Sequence, residues 1–188
     1  MEFSRVPMRP PMKEHLEMVT TKLFFPIWMM FVVPVSWAAI IPGTFLIAFF
    51  GLLASLYITQ PAGAERGDRL RAAWEGAKKG MWRAWINLCA AYALGTALML
   101  APALLTLGMA ETSFLRQAAL SITENIYRNA LSVIWTALCV AGSAGLSYVC
   151  NRAWTFRKIQ IADAGRAALW LAFLTAPYLF FSTYRLFY

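Results

Sequence analysis

The sequence predicts an all-α, polytopic transmembrane helical bundle of about five spans, with amphipathic interfacial helices between them. Three observations predict it. Of 188 residues, 60% are hydrophobic and only 14% charged, against ~25% charged in an ordinary globular domain. Leu23–Ala64 carries no charged side chain over roughly two bilayer crossings, at ~20 apolar residues each. The Lys and Arg residues concentrate in alternate polar loops, as the positive-inside rule requires of a membrane protein.

Residues 1–22 form an N-terminal arm, extended around Pro7, Pro10 and Pro11, followed by a short amphipathic helix with Met12, Leu16 and Val19 on one face. Residues 23–188 form the transmembrane domain. Its first two spans are expected as a hairpin, 23–41 and 44–59, turning at Pro42-Gly43, a dipeptide of turns. Glu65–Arg83 reads as a basic helix lying on the membrane surface. Asp68 is its expected N-cap. Leu70, Trp74, Ala77, Met81 and Trp85 form its apolar stripe.

The next charge-free stretch gives a third span over 84–107. Residues 111–128 form a second loop with a weaker stripe of Leu115, Ala118, Ile122 and Ile126. The fourth span covers 129–150. There Ala137, Ala141 and Gly145 recur every fourth residue, a smooth ridge of the kind that lets membrane helices approach closely. It is the expected helix-packing face, with Val140 turned to lipid. Residues 152–166 form a third loop, and 167–184 the last span.

With the N-terminus inside, the inner segments hold 14 Lys/Arg and the outer ones 3. A four-span alternative, with Leu23–Ala64 as one long helix, leaves 10 against 7. The expected topology is therefore N-inside and C-outside, in an energy-transducing inner membrane, bacterial cytoplasmic or mitochondrial.

No charge lies inside any expected span, which argues against proton-coupled transport. Cys89, Cys139 and Cys150 form no CxxC pair, and His15 is the sole histidine, so metal ligation is not expected. Glu75, Glu111 and Glu124 are single carboxylates on amphipathic faces. The chain reads as a non-enzyme, without cofactor, bound anionic phospholipid aside. The net charge of +8 is a topology signal here and implies no nucleic-acid partner. Arg71, Lys78, Lys79, Trp82, Arg152, Trp154, Arg157 and Lys158 are the candidate lipid-headgroup residues. Basic and aromatic side chains at a membrane edge bind anionic headgroups and anchor the interface.

The end of the fourth span, SAGLSYVCNRAWTFRK, resembles the GtrA-like family of small bacterial membrane proteins. In that family a span ends in a pattern close to N-R-x-W-T-F-R at the cytoplasmic face. Asn151, Arg152, Trp154, Phe156 and Arg157 match it, over about 30 residues of similarity from 129 to 158. The resemblance implies a role in moving polyprenyl-linked sugars across the membrane for surface polysaccharide. The family usually has four spans with the motif after the second, whereas here it follows the fourth expected span. The competing reading, from charge-free spans and amphipathic loops, is an accessory subunit of a larger membrane complex of respiratory, ATP synthase, photosynthetic or secretion type. Its partners are then membrane lipids and other membrane subunits.

Overall fold

The computed structural model describes residues 34, 37–61, 63, 65–110, 112–159, 161 and 163–182. The arm, residues 1–22, and most of the first expected span lie outside them. Helix α1 covers Trp37–Thr59, α2 Arg66–Leu105, α3 Phe114–Glu124 and α4 Ala130–Cys150. A π-helical turn, Asn151–Thr155, carries α4 without a break into the short α5, Phe156–Ile159. Helix α6 covers Ala164–Leu174 and leads into a 3-10 turn, Tyr178–Phe181. No strand occurs among the described residues. Among the described residues, four stretches are long and apolar enough to cross a bilayer: Trp37–Thr59, Arg66–Leu105, Ala130–Ile159 and Ala164–Phe181.

The expected turn at Pro42-Gly43 is not formed, since α1 runs straight through both residues. Pro42 is the sixth residue of the helix. Its missing N–H costs one backbone bond, to the carbonyl of Ala38. A turn among apolar residues would expose several polar backbone groups that lipid cannot satisfy. The Thr44 hydroxyl helps just beyond the proline. It donates to the Ile41 carbonyl (3.0 Å) and accepts from the Trp85 indole N–H (3.1 Å).

The expected surface helix is likewise not a separate element. Residues 66–83 are the first half of one 40-residue helix that continues to Leu105. At 1.5 Å per residue α2 is about 60 Å long, twice the hydrocarbon thickness of ~30 Å. It starts at Arg66, so Asp68 lies within the first turn rather than capping it.

The face that α2 buries matches the expected stripe only at Ala77, with Met81 and Trp85 half-buried. Leu70 and Trp74 are exposed, and Ala73, Ala77, Gly80, Ala84, Ala91 and Gly95 are sequestered. Small side chains let the axes come close. A Cβ on Gly80 would lie 2.6 Å from Ile159 Cδ1, and one on Gly95 2.6 Å from Phe180 Cε2. Along α1, Leu52 and Leu56 close the core against Ala73 and Ala77 of α2, Phe156 of α5, and Ala167, Ala168 and Leu171 of α6.

On α4 the packing face differs from the expected one. Ala137, Ala141 and Gly145 are all exposed, and nothing lies within 4 Å of a Cβ placed on Gly145. Ser132, Thr136, Cys139, Val140, Ser143 and Ser147 are buried instead. Hydroxyls of this size are as compatible with close approach as alanine. Three of them find acceptors, two on the preceding turn of α4 itself and one on α3. Thr136 donates to the Ser132 carbonyl, Ser143 to the Cys139 carbonyl and Ser132 across to the Ala118 carbonyl of α3, all at 2.8 Å. The last span follows its expected course in part. It begins at Ala164, where the Asp163 carboxylate accepts from the Arg166 N–H at 3.0 Å, and breaks near Pro177 into the 3-10 turn. In α3, Ala118 and Ile122 are buried, as is Ile126 in the following turn, while Leu115 is exposed.

Candidate interfacial site

The polar chemistry of the bundle converges where the middle of α2 meets the end of α4. Asn87 is buried in an otherwise apolar run of α2. Its amide donates to Asn151 Oδ1 (3.0 Å) and Thr155 Oγ1 (3.1 Å). Asn151 in turn donates to the Ser147 carbonyl (2.9 Å), and the Thr155 hydroxyl donates to Asn151 Oδ1 (2.8 Å). All of these side chains are at least nine-tenths buried. Polar hydrogen bonds between helices in apolar surroundings fix register, each for ~0.6 kcal/mol on average and up to ~1.7.

Two members of this lock, Asn151 and Thr155, are the first and last residues of the π turn, where the backbone widens. Such turns recur at functional sites because they displace side chains and loosen the carbonyl ladder. The NRAWT segment therefore sits on a helix, not in the loop expected over 152–166. Arg83 of α2 donates to the Trp154 carbonyl (3.1 Å) and lies 5.3 Å from the centre of the Trp154 ring. Arg152 donates to the Tyr148 hydroxyl (3.1 Å), and its guanidinium stands 6.0 Å from that ring. Phe156 turns inward as a fully buried core residue.

All eight expected headgroup residues are exposed. They form two rows. Arg71, Lys78, Lys79 and Trp82 lie on α2, and Arg152, Trp154, Arg157 and Lys158 on the π turn and α5. Arg83 ties the rows together through Trp154. Lys78 pairs with Glu75 (3.3 Å) and lies 5.5 Å from the Trp74 ring. Trp82 packs edge-on against Phe45 and Trp85, at 5.5 and 5.7 Å. Around Arg83 and Trp154 the surface is a basic, aromatic edge over a neutral hydrogen-bonded interior, while Lys78 and Trp82 flank Gly80 on the outer side of α2. Such an edge holds phosphates by charge and flat groups by stacking. Arg83, Asn87, Thr155 and Ser147 were not among the expected residues. Asn87 had a legible signal: an amide inside WINLCA is expensive in an apolar helix unless it is paired.

The chain matches no protein-family profile, no curated protein and no solved structure. Its class is therefore defined by the fold alone: a membrane-embedded, all-helical bundle.

Proposed function

We propose that this protein is a non-catalytic subunit of a larger membrane assembly, held in its bilayer by the basic edge. The two faces of α4 carry the reading. The chain spends the hydroxyl face on its own bundle and leaves the Ala137, Ala141 and Gly145 ridge exposed among the described residues. A smooth ridge that no described residue covers suits a neighbouring transmembrane helix, for which close contact is a main driving force in lipid. Charge-free spans fit a protein whose work is packing and lipid contact. The membrane this reading favours is an energy-transducing inner one, with the basic edge facing the inner compartment.

The experiment is Gly145→Leu, expressed in the native host and extracted in mild detergent. The reading expects loss of co-migrating subunits on a native gel with the chain's own melting temperature unchanged. An unchanged set of partners, or a chain that itself unfolds, overturns it.

One observation favours a second reading. Three residues of the motif that resembles the GtrA-like pattern, Arg152, Trp154 and Arg157, are exposed on the turn that Arg83 contacts, where cations and a ring could hold a lipid pyrophosphate and stack a sugar, while Asn151 and Phe156 are buried beneath them. Under that reading, replacing Arg152 and Trp154 by Ala abolishes transfer of a lipid-linked sugar across reconstituted vesicles. Under the subunit reading the same change only weakens anchoring.

A further inference from the structure

A second basic, apolar feature lies away from the α2–α4 edge. Between the end of α1 and the start of α2 runs an open groove of about 480 Å³, lined by Phe50, Leu53, Ala54, Tyr57, Arg66 and Leu70. Its walls are apolar and its one charged lining residue is a guanidinium. Arg69 stands beside it, fixed in place: its Nη2 donates to the Tyr57 carbonyl (3.1 Å) and its Cζ lies 4.6 Å from the centre of the Tyr57 ring. The Arg69 Nε is buried without a hydrogen-bond partner among the described residues. Glu65 and Asp68 do not line the groove.

We propose that this groove seats one anionic glycerophospholipid, its phosphate on Arg66 and one acyl chain along Phe50, Leu53 and Ala54. Three features select that occupant. The chain is membrane-embedded, so lipid is the solvent of its apolar faces. The groove is amphipathic in the same sense as a phospholipid, with a cation at the α2 end and only apolar atoms from Leu53 to Phe50, about 5 Å further along α1. Helix α1 is itself long and apolar enough to cross a bilayer and ends at Thr59, so the groove that it lines from Phe50 to Tyr57 lies at the end of that span. Phe50 (59% exposed) and Leu70 (53% exposed) form the groove's rims, apolar surface that a bound chain covers. Tyr57 holds Arg69 close by, so the site is cationic before the lipid arrives.

The test uses the full-length protein in nanodiscs of phosphatidylcholine with one-fifth phosphatidylglycerol, and in phosphatidylcholine alone. Native mass spectrometry after detergent release counts the lipids retained. One phosphatidylglycerol is expected per protein, retained in preference to phosphatidylcholine. Arg66→Gln, on an exposed side chain, should lower its occupancy about fivefold, since one basic residue is worth ~1 kcal/mol toward an anionic lipid. Ala54→Trp, which fills the apolar wall, should displace it as well. Leu70→Glu at the rim replaces that variant if it does not fold. Arg166→Gln, on an exposed arginine of α6 that pairs with Asp163 and belongs to neither basic site, should leave the count unchanged. Equal retention of the two lipids, equal losses from Arg66→Gln and Arg166→Gln, or retention unaffected by the wall variants each overturns the proposal. Loss of partner subunits plays no part in this readout, so it stands or falls apart from the subunit reading.

Discussion

Asn87 is the residue whose position most needs a physical reason. Moving an amide into an apolar helix interior costs several kcal/mol unless its hydrogen bonds are replaced. Asn151 and Thr155 replace the donor side of that account, 64 and 68 residues further along the chain. Asn87→Leu should therefore lower stability by about 1 kcal/mol, the size of an interhelical polar bond in membranes. The drop should show as a lower melting temperature in detergent. A Leu variant as stable as the parent would mean that the network contributes nothing net. The glycines offer a sharper comparison. A Cβ at Gly95 would meet the Phe180 ring at 2.6 Å, whereas at Gly145 it meets open space. Gly95→Ala should destabilise by about 1–3 kcal/mol through overpacking. Gly145→Ala should be neutral or stabilising by up to ~1 kcal/mol, because alanine favours the helix. The opposite ranking in a thermal-shift series would show that the packed face of α4 is wrongly assigned.

At the scale of elements, the charge-free runs coincide with α4 and with the apolar half of α2, whereas α1 runs through the point where the pattern divided two spans. What it did not reveal was how far the helices continue and which faces meet. Pro42-Gly43 looks like a turn when read locally, but an apolar setting makes every unpaired backbone group costly, so the helix persists. Arg66–Arg83 looks like a separate surface helix because its composition changes at Ala84, yet nothing in the backbone stops there. The α2 stripe misled at Leu70 and Trp74 for a related reason, although its Ala77 is buried, as are Ala118, Ile122 and Ile126 of the second stripe. In water the large apolar face turns inward, but in lipid large apolar side chains are equally at ease outside. The inward face is then chosen by small size, small hydroxyls included. Hence Leu70 and Trp74 face out and Ala73, Gly80 and Ser143 face in. Breaking α2 tests its continuity: Ala84→Pro removes one bond and clashes with the preceding turn, for ~3 kcal/mol or more. It should uncouple the Arg83–Trp154 contact and lower the melting temperature. A separate surface helix ending near residue 83 would tolerate it.

At the scale of the whole molecule, the packing puts the two basic segments at the same end. Gly80 of α2 faces Ile159 of α5, and Arg83 reaches Trp154. The α2–α4 connection, with α3, lies at the other end, against Pro102 and Trp135. Single cysteines in a Cys-free background, at Lys79 and Lys158 on one side and Gln117 on the other, should therefore react with an impermeant reagent from opposite compartments. Labelling of all three from one compartment would contradict the bundle. A further cysteine in residues 1–22 decides the side of the N-terminus. The continuous α1 removes the turn on which the five-span count rested.

The central claim is that this chain is built to be one part of something larger. Mild-detergent extraction from native membranes, followed by native mass spectrometry of the intact species, tests it most directly. The account predicts a particle in which the 21.1 kDa chain occurs in fixed stoichiometry with other membrane polypeptides. A monodisperse chain carrying lipid alone, and supporting lipid-linked sugar transfer in vesicles, would contradict it.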